Sequence, residues 1–414
     1  MPGGVSNLGI DNAGKIVVVG PDGNIISGEI TEENIIDALV QSGSYTSKEA
    51  LGISINYSTK SCERTAAAVN KVAGTDFNSF AMYGGRMRCN VADDGTINAF
   101  YGDNNYTEDG SNGQVMIYQP KFCYQRIIIE EYDDAQGKVI NKEQLLISPT
   151  EKIGFKLHPL FKNNDEELDY VLLPAYEGNV YDTSTESYIL NNADTIDINT
   201  DKLSSIAGAR PLSGINKTLT LDNLKQLATN RGEGWQLNDI YAESALQMLA
   251  MIEFGSLNGQ NAIGKGLVNI ESLGEIITGS TSSLGNNSGR ADSTQLSSGI
   301  QTDEDKTAIS YRGMENPWGN LWRLVDKITV KGTGTSLGGT PYINNSSVEF
   351  NLPDMTYGWI SNMGIGNTAY DWLYMPIKCG NNANSAAPVG DTVWTLSPLN
   401  GTNKVMIGGH GSSN

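Results

Sequence analysis

Tyr311–Val330, YRGMENPWGNLWRLVDKITV, is the stretch on which the reading of the fold turns. It reads as a loop entering a strand. Arg312-Gly313 opens it, Asn316-Pro317 turns it, and Gly319-Asn320 lets two backbones come close. Leu321, Trp322, Leu324, Val325 and Ile328 then supply bulky apolar side chains. Two tryptophans and two glycine-containing turns within about 20 residues predict dense aromatic burial, hence a core anchor.

The surrounding composition bounds the class. The chain has 414 residues, 47 glycines and only 18% charged residues, and its formal net charge is −19. That length allows two or three domains. The composition fits a loop-rich, β-leaning extracellular or virion protein better than a helical cytosolic enzyme. So acidic a surface repels phosphate backbones, so nucleic-acid binding is not expected. Cys62, Cys89, Cys123 and Cys379 are scattered without CxxC or Cys/His spacing. They are read as buried free thiols, with neither a zinc site nor a disulfide scaffold. No run approaches ~18 apolar residues, so no membrane span is expected. The start, MPGGVSNLGIDNAGK, lacks the charged-then-apolar pattern of a secretory signal. Work outside a cell then requires release by lysis or as part of a particle.

Upstream of the anchor, Asn238 is read as the cap of the best helix in the chain, running to about Glu253. It is apolar nearly all round (Ile240, Ala245, Leu246, Leu249, Ile252, with Phe254 at its end), so burial on several sides is expected. Gly255 follows as a C′ glycine. Leu221–Asn230 reads as a second helix. Residues 256–300 read as an exposed Gly/Ser/Asn-rich excursion, and 183–199 as an exposed insertion. Gln114–Glu130 is the clearest strand region, interrupted at Pro120, with Leu145–Ser148 pairing back on it. Tyr170–Ala175, Met82–Asn90 and Asn98–Tyr101 also read as strands, and Cys62–Val72 as a short helix. Downstream, Val348–Leu352, Trp372–Ile377 and Val393–Leu396 read as strands. At the start, residues 1–14 read as irregular. Lys15–Val19 and Ile25-Ile26 form a hairpin around Pro21-Asp22-Gly23, and a helix runs from Thr31 to Gly43. A hairpin and three helical turns bury too little to stand alone. Residues 1–50 are therefore expected either to pack on the body or to form an attachment or oligomerisation module, the latter preferred, followed by a β-rich leading segment, 51–112, and a main domain, 113–414. The class is α+β, with small antiparallel sheets, two main helices and long loops.

The chemistry points to binding. His158 and His410 are the two histidines, and no GxSxG, HExxH or GxxxxGKS motif is present. The plentiful carboxylates leave a glycosidase pair open, but with no acid, base, nucleophile or metal constellation in the sequence no catalytic residue and no cofactor is expected. The acidic loop DNNYTEDGSNG (103–113) lacks the spacing of a twelve-residue calcium loop and reads as solvated. The C-terminal third places Tyr357, Trp359, Tyr370, Trp372, Tyr374 and Trp394 among Asn- and Gly-rich loops. Aromatic faces stack on sugar rings, and Asn side chains bond their hydroxyls. Trp372 and Trp394 are assigned to the core. Tyr357, Trp359 and Tyr370, with Asn381, Asn382 and Asn384, are the candidate ligand-binding residues.

Several segments together resemble bacteriophage and prophage structural proteins with a C-type-lectin-like fold. They are GWQLNDIYAESALQMLAMIEFGSLNGQ (234–260), YRGMENPWGNLWRLVD (311–326), MYGGRMRCNVADDGTINAFYGD (82–103), YTEDGSNGQVMIYQPKFCY (106–124), GFKLHPLF (154–161), DWLYMP (371–376) and MIGGHG (406–411). The same fold occurs in formylglycine-generating enzymes and in variable tropism proteins. The resemblance implies that residues 238–253 take the place of the fold's second helix, with WGNLWRLVD as a core strand beside it. It implies Trp235, Trp318, Trp322 and Trp372 as structural core. The catalytic cysteine arrangement of the formylglycine-generating enzymes is not recognisable, so their activity is not carried over. The Glu-Pro-Asn calcium motif of sugar-binding lectins stands here in another order, Glu315-Asn316-Pro317, so calcium is not assigned. Related phage proteins continue past the GGH element. Either that ligand-variable tail is absent here, or the binding surface lies on other loops. The expectation is a phage tail- or head-fibre adhesin, a homotrimer on the virion surface. It joins other virion proteins through residues 1–50 and contacts a bacterial surface glycan or protein, without membrane insertion. The alternatives are a decoration protein of the particle without a ligand of its own, and a lectin-fold enzyme.

Overall fold

The computed structural model describes residues 50–164, 166–213, 219–270, 276–296, 298–334, 338–354, 357–380, 389–394 and 400–407, with the backbone of three N-terminal strands. The architecture is α+β, mostly small antiparallel sheets with four α-helices among the described residues.

The N-terminal strands Asn7–Ile10, Ile16–Val19 and Ile25–Ile26 form one antiparallel sheet. The hairpin is where the sequence put it. Residues 7–10, read as irregular, instead pair with the first hairpin strand, Asn7 opposite Val19. The helix expected over Thr31–Gly43 lies outside the described residues.

The largest sheet has eight strands. Its spine is the hairpin Cys123–Asp134 and Gly137–Ser148, paired from Gly137↔Asp134 to Ser148↔Cys123 with register shifts between Ile140 and Glu143. Along the second strand Leu145 and Ile147 enter the main core. Leu146 faces the other way and joins Ala50, Cys123 and Phe155. Both faces are thus partly covered, which is why the sequence here is apolar without clean alternation. Pro120 does more than interrupt the run. It ends the Gln114–Pro120 strand, which belongs to a separate four-stranded sheet with Tyr170–Pro174, Met87–Val91 and Ile97–Phe100. Leu51–Asn56 pairs with Gly137–Ser148, and one core cluster draws on residues from both 51–112 and 113–414.

The helix Ile240–Phe254 sits inside this core. The Asp239 carboxylate caps it, accepting from the Tyr241 and Ala242 amides at 3.0 Å each. The cap falls one residue after the expected Asn238. Gly255, at φ 62°, ends the helix in the left-handed region. Burial extends round most of its circumference and includes Glu243, Ser244 and Glu253. The Asp326 amide donates to the Asn238 carbonyl at 3.1 Å, tying the helix start to the strand Arg323–Thr333. That strand is the long limb of the anchor. It pairs with Asn400–Ile407 on one side and Thr340–Ile343 on the other.

Several expectations are corrected. Cys62–Val72 is not a helix. Ser61–Ala66 is a strand paired with Leu51–Asn56, and Ala66 takes φ 53° where the ladder ends. Met82–Asn90 divides into a helical turn, Ala81–Gly84, and a strand starting at Met87. Residues 256–300 are not an exposed excursion. Leu267, Ile270, Ile276, Ala291 and Leu296 make a small core with Ala308. The insertion at 183–199 is also anchored: it leads into buried Ile189, and Ile196 and Ile198 pack on the cluster of Val180, Ile189 and Leu227. Val348–Leu352 is irregular, because Glu349 at φ 69° cannot continue a strand. Trp372–Met375 is irregular too. Four consecutive buried residues do not suit one half-buried strand, and the strand begins at Pro376. Tyr357–Ile365 and Asn400–Ile407 are strands that the sequence reading did not separate from loops.

Candidate functional site

Two arrangements stand out, a buried polar network and an aromatic pair at the surface. The buried one builds the anchor. Glu253, on the last turn of the central helix, receives Arg312 Nη2 at 2.6 Å and Nε at 2.7 Å, the Tyr311 hydroxyl at 2.9 Å and the Gly74 amide at 2.9 Å. Arg312 also donates to Asn78, Tyr83 and Gly74 oxygens, and so ties residues 74–83 and the central helix to the anchor. Its φ of 44° is strained, and those bonds hold it there. Next to it, Arg88 pairs with Glu108 at 2.9 Å and donates to the Gly313 carbonyl. Glu315 accepts from the Gly279 and Thr281 amides and from the Thr281 hydroxyl. Burial raises the Glu315 pKa. Glu177 accepts from Asn320 and from the Leu321 amide, and burial pushes its pKa up to about 7. The oxygens of Glu315 and Asn316 are therefore engaged with the protein's own chain. Among the described residues no group of three or more His, Cys, Asp or Glu is placed to hold a metal ion. The sequence reading missed this network. Its signal was present: Glu253 inside the apolar run MLAMIEF, and Arg88 inside a strand region.

His158 is equally buried. It lies among the rings of Phe122, Tyr124, Phe161 and Trp372, and burial lowers its pKa to about 3. It is a neutral packing group with no route to solvent.

The surface arrangement is on the strand Tyr357–Ile365. Tyr357 and Trp359 are two residues apart and share a face, while Gly358 between them and Ile360 after them are buried. Tyr357 is 44% exposed and Trp359 half-buried. Across the ladder Trp359 pairs with Thr392 on one side and Gly380 on the other. Gly380 has no side chain, so among the described residues no cross-strand side chain stands opposite Trp359 on that flank. The strand fixes the spacing of the two rings, giving a short aromatic ledge of the kind that stacks on apolar ring faces.

The other candidates divide. Tyr370 is not part of the ledge. It packs edge-on to Trp372, and its hydroxyl donates to the Ile343 carbonyl at 3.4 Å. Asn381, Asn382 and Asn384 lie outside the described residues, and the segment containing them starts from Gly380, the backbone partner of Trp359. Of the tryptophans assigned to the core, Trp372 is buried at 3% exposure. Trp235, Trp318 and Trp322 are half-buried, with Trp235 and Trp318 donating to backbone carbonyls. Trp394 is described only as backbone, opposite Tyr357.

No protein-family model matches the chain, and no curated protein matches it.

Proposed function

We propose that this protein is a bacteriophage virion adhesin with a C-type-lectin-like body that binds a glycan on the bacterial surface. The observation that carries the reading is the Tyr357/Trp359 ledge: two aromatic side chains on one face of a strand, with a glycine as one cross-strand partner of Trp359, on a protein of net charge −19. A sugar ring offers an apolar face to an indole and hydroxyls to polar neighbours. One such contact is weak. Several copies on one particle, assembled as trimers through residues 1–50, raise the effective affinity by avidity. The buried Arg312–Glu253 frame serves this function indirectly, by fixing the body from which the ledge projects.

The test is adsorption of the purified protein to a panel of bacterial strains, comparing wild type with Trp359→Ala and Tyr357→Ala. Loss of adsorption with an unchanged melting temperature supports the reading. Unchanged adsorption by both variants removes the ledge as the binding face. Absence of adsorption by the wild type to every strain that the parent particle infects leaves the decoration-protein reading in its place.

A further inference from the structure

Against the anchor, one buried carboxyl stands without a counter-charge. Glu177, three residues past the strand Tyr170–Pro174, is 7% exposed. Its donors are the Asn320 side-chain amide, which bonds Oε2, the Leu321 backbone amide at 3.4 Å and the Asn316 side-chain amide at 3.5 Å. All three are neutral N–H groups. Glu253, by contrast, receives the Arg312 guanidinium through two nitrogens. An ionised carboxylate is costly to bury without a paired cation, and a carboxyl in that position keeps its proton instead.

Beside it lies the complementary defect. Asn320 is fully buried, and its Oδ1 has no hydrogen-bond partner among the described residues, although Nδ2 of the same amide is bonded to Glu177. A buried acceptor left without a donor carries its full desolvation cost. A carboxylic acid has one O–H donor and one carbonyl acceptor, and a primary amide has a matching N–H and C=O. Set edge to edge they exchange two bonds: the amide N–H to the acid, already in place, and the acid O–H to the amide oxygen. One proton on Glu177 therefore removes both defects.

We propose that Glu177 is held as the neutral acid, its proton donated to Asn320 Oδ1, and that this acid–amide pair is a pH-sensitive latch between the anchor and the small core that contains Leu267. Asn320 is where the latch acts. Its φ of 56° lies in the left-handed region, and its backbone amide donates to the Leu267 carbonyl at 2.9 Å. Two residues earlier Trp318 Nε1 donates to the Gly264 carbonyl at 3.2 Å, so the same turn grips that segment twice. Of the charged groups around Glu177, Glu315 on the strand Met314–Glu315 opposes a second negative charge, and Arg323 favours one. The Arg323 guanidinium is bonded to the Asn316 and Pro317 carbonyls, and its charge also acts on Glu243 of the central helix. Burial prevails and pushes the Glu177 pKa up to about 7. Ionisation removes the O–H bond and leaves Oδ1 unpaired, so the latch is closed on the acid side and released as pH rises. A group with a raised folded value contributes stability that is complete below its unfolded value, about 4.5, and is lost as pH climbs to about 7.

The experiment compares the full chain with Glu177→Gln, whose side-chain amide keeps both bonds to Asn320 at every pH. In urea denaturation the unfolding constant of wild type, divided by that of the variant, should rise about tenfold per pH unit between roughly pH 5 and pH 7 and level off above. A ratio that is constant over this range overturns the proposal. Infrared spectra give a readout that a change in stability alone would not move. At about pH 6, where exposed carboxylates are ionised, wild type should show a protonated-carboxyl band that Glu177→Gln lacks, and the band should vanish by about pH 9. No difference band at about pH 6 shows an ionised Glu177 and overturns the proposal as well. Asn320→Gly keeps the left-handed backbone without strain and removes the acceptor, so it tests the latch even if Glu177→Gln does not fold. Its acid band should move to the position of a carboxyl without a hydrogen-bonded proton. A band that stays in place puts the proton on some other group, and the latch falls.

Discussion

Replacing His158 with asparagine should change how stability depends on pH, not only how large it is. His158 is fully buried, its Nδ1 accepting the Leu160 amide at 3.2 Å and its Nε2 lying 3.3 Å from Ser244 Oγ. The Ser244 hydroxyl already donates to the Trp372 carbonyl at 2.7 Å, so Nε2–H is the donor in that pair and the ring is the neutral Nε2–H tautomer. Protonating Nδ1 would set an N–H against the Leu160 N–H and place a charge among four aromatic rings. Burial accordingly lowers the pKa to about 3. A base with a depressed folded pKa binds fewer protons folded than unfolded, so its contribution is present above the unfolded value of about 6.5 and is lost as pH falls toward 3. Linkage over those two values gives a loss of about 2.5 kcal/mol between pH 7 and pH 4.5. Glu177 works in the opposite direction. Its raised folded pKa, about 7, gives stability that is present below an unfolded value near 4.5 and lost as pH rises. Glu243 and Glu315 shift the same way as Glu177. The wild-type curve is therefore a sum, and the informative quantity is the difference between wild type and variant. In His158→Asn the amide oxygen can still cap Leu160, but the ring contacts are lost, at about 3 kcal/mol near neutral pH. Urea denaturation followed by tryptophan fluorescence should show that gap near pH 7, closing to under about 1 kcal/mol at pH 4.5. A gap that stays constant across this range would show that His158 is solvated or charged in the folded protein, and the reasoning would fail.

Three further outcomes can be measured. Glu253→Gln leaves Arg312 with its charge buried and its two short contacts weakened, so unfolding free energy should drop by about 3–5 kcal/mol in chemical denaturation; a change under about 1 kcal/mol would mean water replaces the carboxylate. Gly319→Ala should cost about 2–3 kcal/mol, because φ is 80° and a Cβ would meet the Leu267 backbone nitrogen at 2.8 Å. Gly95→Ala, at φ 86° with open space around it, should cost only about 1 kcal/mol, and equal costs would refute the close-approach argument. Deleting residues 1–50, the proposed assembly module, should convert the proposed trimer to a monomer by light scattering, and an unchanged mass would exclude that segment as the assembly module.

The central helix was legible in its place and extent because its signals are local. Capping polar residues, an apolar run and a terminal glycine need only their own neighbours. The hairpin around Pro21-Asp22-Gly23 and the break at Pro120 were legible for the same reason. Ser61–Ala66 was not, because its strand state comes from the ladder that Leu51–Asn56 offers and not from its own propensity. The small core within 256–308 was hidden as well, since its apolar residues are separated by glycine and serine turns and meet only in space. For the ligand candidates, composition could nominate aromatics but not face them. Tyr357 and Trp359 share a strand face, whereas Tyr370 is turned into Trp372.

The sequence by itself determined the α+β class, the buried helix, the acidic surface and the anchor Tyr311–Val330 as a point of dense packing. Each follows from residue type and short-range order. Only the tertiary structure decided what holds that anchor. Arg312 is 59 residues from Glu253, and Glu177 is 143 residues from Asn320. Pairings at such separations form because burying a charge costs several kcal/mol unless a partner arrives, and which partner arrives is a property of the folded chain.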